Sequence, residues 1–179
     1  MVLFLLNSIL RMFKTKVYVR LINGAKPFEI TKKGDWIDCY ANGTFDYEGP
    51  SVENKDINIP TCKIPLGFAM KLPKGYEAIV ASRSSSYKTY GIVPWNCIGI
   101  IDNCYNGTND QWQFGALCFK KGHISKGDRI CQFKIQLSQK ATIWQKLKWL
   151  FSNGKIKFIY VDKLSDTDRL GFGKGTGVR

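Results

Sequence analysis

The carboxylate of Asp102 stands where a reactive group would be both exposed and firmly held. It lies in PWNCIGIIDNCYNG (Pro94 to Gly107), an apolar run closed by an Asn-Gly pair that signals a hairpin or tight turn. A carboxylate there can be fixed and partly desolvated, the setting in which a side chain acts as a general base. Taken alone, the triplet Ile101-Asp102-Asn103 reads more readily as turn chemistry. The second chemical feature is the polar ending after Asp162, which closes with DRLGFGKGTGVR. Bare glycine N–H groups beside lysine suit phosphate oxygens, although a tail of this kind is by itself first a disordered end.

Other chemistries are excluded. Cys39, Cys62, Cys97, Cys104, Cys118 and Cys131 are scattered singly in apolar runs with no CxxC pair, and His123 is the sole histidine. A structural zinc cage needs four closely spaced sulfur or nitrogen ligands. Reduced, buried thiols in a cytoplasmic protein are the reading that fits.

The chain carries 27 basic against 14 acidic residues, a formal charge of +13, which points to an anionic partner. From Lys120 onward the only acids are Asp128, Asp162, Asp166 and Asp168. Nucleic acid, a membrane surface and a polyphosphate all fit such a field, and charge alone ranks nucleic acid first.

At 179 residues and 44% hydrophobic content, one domain with an ordinary core is expected. Short runs rich in β-branched and aromatic residues, separated by glycine turns, favour an all-β fold. Strands are expected at Thr15 to Ile22, Tyr76 to Ser82, Gly115 to Phe119 and Arg129 to Leu137. In the last, Cys131, Phe133, Ile135 and Leu137 share one face, with Gln132, Lys134 and Gln136 on the other. A single helix is expected at Thr142 to Phe151, its Ile143, Trp144, Leu147 and Leu150 side packing on the core or capping a surface in preference to touching a membrane. The stretch MVLFLLNSILRMFK is too short to span a bilayer, and translation could equally begin at Met12. The expected division is an extension of unknown role at 1–11, a β domain at 12–165 and a mobile arm at 166–179.

Five short motifs, read in order, resemble those of the trimeric dUTPase family, phage and Gram-positive bacterial type. They are GDWIDCYA (Gly34 to Ala41), RSSS (Arg83 to Ser86), NCIGIIDNCYNG (Asn96 to Gly107), GDRICQ (Gly127 to Gln132) and DRLGFGKGTG (Asp168 to Gly177). The resemblance runs from about Met12 to the end. It implies a jelly-roll β trimer with sites at subunit junctions and a glycine-rich arm closing over them. The implied reaction is Mg²⁺-dependent hydrolysis of dUTP to dUMP and pyrophosphate, which keeps uracil out of DNA and supplies dUMP for dTMP synthesis.

The resemblance also implies roles. Asp102 orients the water that attacks the α-phosphorus. Tyr105 lies beneath the deoxyribose and excludes a 2′-hydroxyl, and Asn96, with backbone at Gly99 and Ile101, forms the uracil pocket. Arg83 and Ser84 reach phosphate oxygens; Ser82 stands where the family usually has proline. Ser85 joins the substrate-binding set although it and Ser86 also read as structural. Gln132 contacts phosphate or metal-bound water, Asp38 lies near Mg²⁺ through water, and Asp128 and Arg129 pair for structure. In the arm, Phe172 covers uracil, with Trp112 and Phe114 as other stacking rings, while Arg169, Gly173, Lys174 and Thr176 meet phosphate. The arm departs from the family pattern: Arg169 precedes Phe172 by only three residues, and GFGKGTG is one residue longer than usual.

Two rivals remain. A dCTP deaminase shares the fold but needs a glutamate where Asn106 stands, and no glutamate follows Glu77. A regulatory or nucleic-acid-binding protein on the same scaffold would not need a base, a sugar-gating tyrosine and phosphate ligands together. The expected partners are dUTP and further copies of the chain, in the cytoplasm, with no stable nucleic-acid complex and no membrane, and with room for a regulatory protein.

Overall fold

The computed structural model describes residues 14–30, 34–53 and 55–166. Within them the strands are β1 (Thr15–Leu21), β2 (Ile37–Tyr40), β3 (Phe45–Tyr47), β4 (Ser51–Glu53), β5 (Asp56–Asn58), β6 (Thr61–Lys71) and β7 (Tyr76–Ser82). Helix α1 (Ser86–Tyr90) follows, then β8 (Ile92–Pro94), β9 (Gly99–Asp102), β10 (Gln111–Cys118), β11 (Gly122–Ile124), β12 (Arg129–Leu137), helix α2 (Ile143–Phe151) and β13 (Ile156–Tyr160).

Two sheets carry the fold, one ordered β13-β1-β6-β10-β8 and the other β2-β12-β7-β9. All their pairings are antiparallel except β1 with β13. Alternation in β12 sends Cys131, Phe133 and Ile135 inward, as its sequence pattern requires. Between the sheets Phe133 meets Phe68, Trp112 and Phe158 with ring centroids 5.5–6.4 Å apart, and Phe28 joins them. Each such ring contributes roughly 1.5–3 kcal/mol when removed from water. This is the expected all-β, jelly-roll kind of architecture.

Several expectations change. Trp112 is completely buried in this cluster, so it is a core residue and no stacking ring for a ligand. The Asn106-Gly107 turn joins strands of different sheets, β9 and β10, and so is no hairpin; the buried Asp110 takes the Gly107 N–H and bends the chain away from pairing. Helix α1 was not foreseen, because its five residues lack an apolar stripe. Lys120 closes it by donating to the carbonyls of Lys88 and Thr89.

Helix α2 begins with a capping box in which Thr142 Oγ1 accepts from Gln145 N and the Gln145 side chain accepts from Thr142 N. Its orientation is the reverse of that expected. Trp149 packs on Tyr76 and Gln145 Nε2 donates to Lys74 O, while Ile143, Trp144, Leu150 and Phe151 face outward. None of the described helices is long and apolar enough to cross a membrane.

Candidate active site

Asp102 ends β9 on the side of the edge strand that faces away from the core, next to Ile100, with Glu77 of β7 opposite in register. The turn that follows is locked by its own hydrogen bonds. Asp102 Oδ1 accepts from Cys104 N at 2.8 Å, and its backbone carbonyl accepts from Tyr105 N. Asn106 Nδ2 donates to Asn103 O, and Gly107 N donates to Asp110 Oδ2 at 2.8 Å. The carboxylate is therefore exposed but aimed by rigid backbone. Tyr105 is nearly buried, its hydroxyl donating to Gln111 O at 2.9 Å, so its ring is held in place beneath the turn.

Directly before this strand, Asn96, Gly99 and Ile101 line a shallow cleft with Trp95, Phe114 and Gly115. Sequence reasoning had Asn96, Gly99, Ile101 and Phe114 in view but missed Trp95 and Gly115. The missed signal was the aromatic-glycine pairing across β8 and β10: a Cβ on Gly115 would lie 2.1 Å from the Trp95 ring, so only glycine lets that indole lie flat. Lys63 Nζ lies 5.9 Å from the centre of the same ring.

A second group gathers where β2, β12 and β7 meet. Arg83 Nε donates to Asp38 Oδ1 at 2.8 Å, and Arg129 lies 3.5 Å from Asp38 Oδ2. Gln132 is the register partner of Asp38, and its amide donates to Ser82 O. Ser84 and Ser85 are exposed at the start of α1. Ser86 is structural, its hydroxyl donating to Ile130 O and accepting from Arg83 N. Arg129 thus pairs with Asp38 and not with Asp128, which instead accepts from Ser125 N. Asp128 belongs to the turn before β12, whereas Arg129 is the first residue of the strand, beside β2. Behind Asp38, burial beside Cys131 holds the Cys39 thiol well above its ordinary value, leaving it neutral and inert.

Both Asp38 oxygens face guanidinium groups, so the carboxylate has no bare edge for direct metal ligation. No cluster of three or more His, Cys, Asp or Glu among the described residues could hold a metal. The donor set fits a cation carried by phosphate oxygens and water, with Asp38 at one remove.

The two groups do not meet within one chain. Asp102 is opposite Glu77 while Arg83 follows six residues further along β7, so the two are about 20 Å apart along the strand. The arm residues Arg169, Phe172, Gly173, Lys174 and Thr176 lie outside the described residues. The chain leading to them is pinned to the Asp102 turn. Thr108 Oγ1 donates to Ser165 O at 2.6 Å and accepts from Leu164 N and Ser165 N, and Arg20 bridges the carbonyls of Asp162 and Thr108. This clamp, too, was invisible in the sequence.

No family model matches the chain. The SPbeta prophage-derived deoxyuridine 5′-triphosphate nucleotidohydrolase of Bacillus subtilis (strain 168) is 38% identical over 148 residues, which cover 83% of this chain and 87% of that protein. A deoxyuridine 5′-triphosphate nucleotidohydrolase of Anaplasma marginale (strain St. Maries) is 34% identical over 131 residues, 69% of this chain and 80% of that one. The solved dUTPase of Streptococcus mutans superposes with a TM-score of 0.57 at 16% identity, over 69% of this chain and 98% of its own. A mutant dUTPase from phage phi11 of S. aureus, described with a structural Mg(II) ion, gives 0.56 at 18% identity, over 71% and 94%. The two structures bear on the fold, while the prophage relative spans most of both sequences. By that relationship the chain belongs to the dUTPase family.

Proposed function

We propose that this chain cuts dUTP into dUMP and pyrophosphate using a water molecule that Asp102 deprotonates. The water oxygen attacks the α-phosphorus, the bond from that phosphorus to the α,β-bridging oxygen breaks, and the water proton passes to the Asp102 carboxylate. The observation that carries this reading is the locked turn that holds Asp102 beside the cleft of Asn96, Gly99 and Ile101. Uracil in that cleft would be read by Asn96 and by backbone at Gly99 and Ile101, with Phe114 below it. Tyr105, fixed by Gln111, walls off the sugar.

Arg83, Ser84, Ser85 and Gln132 receive the phosphates, where fixed donors stabilise the charge that develops on the leaving group. Magnesium, held by the phosphates and by water near Asp38, would neutralise part of that charge. Arg83 is released from Asp38 or shared with it when phosphate arrives. The arm, with Arg169, Phe172, Gly173, Lys174 and Thr176, closes the site against bulk water. Because Asp102 and Arg83 stand at opposite ends of β7, the complete site is assembled from different copies of the chain. A homotrimer supplies that arrangement, and the exposed Ile100 beside Asp102 is apolar surface for it to cover.

Pyrophosphate release from dUTP with Mg²⁺, set against dCTP, dTTP and UTP, tests the reading. Asp102→Asn keeps the size and loses the basicity, so turnover disappears while dUTP affinity stays within about tenfold. Undiminished turnover in that variant would reject Asp102 as the base.

A further inference from the structure

The outward side of α2 has no role in the chemistry above, yet its composition is unusual for solvent. On a helix of 3.6 residues per turn, Ile143, Leu147, Leu150, Trp144 and Phe151 form one continuous stripe. Trp144 is 77% exposed, Leu150 70% and Ile143 64%. The stripe lies opposite Gln145 and Trp149, the residues that hold the helix to the domain. Lys146 and Lys148 flank it on either side, and no acidic residue occurs anywhere between Asp128 and Asp162.

We propose that this face of α2 adsorbs to an anionic lipid surface. An apolar stripe with an aromatic residue and flanking lysines is the form of a helix that lies in the headgroup layer, its lysines reaching lipid phosphates. The only polar side-chain atom in the stripe is the Trp144 indole nitrogen, a donor that suits the headgroup layer. The amino-terminal end of the described chain lies against the same helix. Thr15 N donates to Lys155 O, Thr15 Oγ1 is 3.0 Å from Tyr76 Oη, and Tyr76 packs on Trp149. The described chain therefore begins near the domain-facing side of α2, and its sequence adds Lys14 and Lys16 with no acid before Glu29. The helix fastens the protein by adhesion, since it cannot span the bilayer.

The test is sedimentation of the full chain with vesicles of phosphatidylglycerol and phosphatidylcholine, read alongside tryptophan emission. Binding with a blue shift is expected, at least about tenfold weaker on pure phosphatidylcholine or in high salt. Leu150→Glu, and separately Lys146→Glu with Lys148→Glu, should lower binding at least about tenfold while dUTP turnover and assembly mass are kept, since these side chains are exposed. A chain starting at Met12 keeps the whole of α2 and should still bind. Failure of the full chain to bind, equal binding to neutral vesicles, or no effect of Leu150→Glu would overturn the proposal. So would loss of all binding in the Met12 chain, or a smaller assembly for Leu150→Glu, which would make the face an interface between copies. Turnover is measured apart from binding, so failure of one does not imply failure of the other.

Discussion

Two inactive variants should restore activity to each other if the site is shared between copies. Asp102→Asn removes the proposed base and Arg83→Ala a proposed phosphate ligand, and in one chain these positions are about 20 Å apart along β7. In a ring of three, each site then takes Asp102 from one copy and Arg83 from a neighbour. With equal random mixing, a site is intact when the first copy is the Arg83 variant and its neighbour the Asp102 variant. The product of one half and one half gives about a quarter of wild-type turnover per site in an unselected mixture, and about a third once only assemblies holding both chains are kept. The assay is pyrophosphate release from separately tagged variants, co-expressed and purified through both tags or refolded together. Each variant alone sets the baseline. Activity no higher than that baseline, in assemblies shown to contain both chains, would refute the shared site.

Thr108→Val removes the hydroxyl that makes three hydrogen bonds to Leu164 and Ser165. At about 0.5–1.5 kcal/mol each, reduced by partial exposure, the root of the arm should open about tenfold more often. Faster amide exchange at 163–165 and a lower kcat/KM are expected, with rescue by Thr108→Ser. In a chain ending at Ser165, which lacks the proposed lid and should be poorly active, the same substitution should cost nothing further. Gly115→Ala drives a methyl into the Trp95 ring and should raise KM for dUTP several-fold, and an unchanged KM would remove Trp95 from the pocket wall. Burial beside Cys118 pushes the Cys62 thiol from 9.0 up to about 12. The folded state therefore keeps a proton that the unfolded chain releases above pH 9, and the associated stability is whole below pH 9 and lost toward pH 12. Urea midpoints should fall across that range, less steeply in Cys62→Ala; identical slopes would contradict the assignment.

Residues whose signal is local were legible before the fold was known. The period-two alternation of β7 and β12 gave both strands their observed limits, because one buried face leaves no freedom of register. The Asp102 turn was legible as a rigid turn, though not its route between sheets, which depends on a distant-looking aspartate, Asp110, becoming buried beneath it. Helix α2 was legible in length and misread in orientation. Its periodicity shows that an apolar stripe exists but not which side the domain covers, and Trp149, on the other side, made the stronger contact. The Arg83 to Asp38 pair and the clamp at Thr108 join residues 45 and 57 positions apart, and no pattern in one sequence reports such a meeting.

The clamp changes how the arm should be understood. One turn, from Asp102 to Asp110, carries the proposed base at its start, the proposed sugar wall at Tyr105 and the attachment of residues 164 and 165 at Thr108. Asp110 and the backbone hold that turn, so Asp102 and the point where residues 164 and 165 are attached move together. The proposed phosphate ligands belong to a separate unit, fastened by the pairing of β2, β12 and β7. On the shared-site proposal, catalysis depends on how accurately two stiff pieces from different copies are brought together, because a misplacement of about 1 Å can lower a rate on the order of a hundredfold. Substitutions that loosen contacts between copies should for that reason lower kcat before they alter the stability of the single chain.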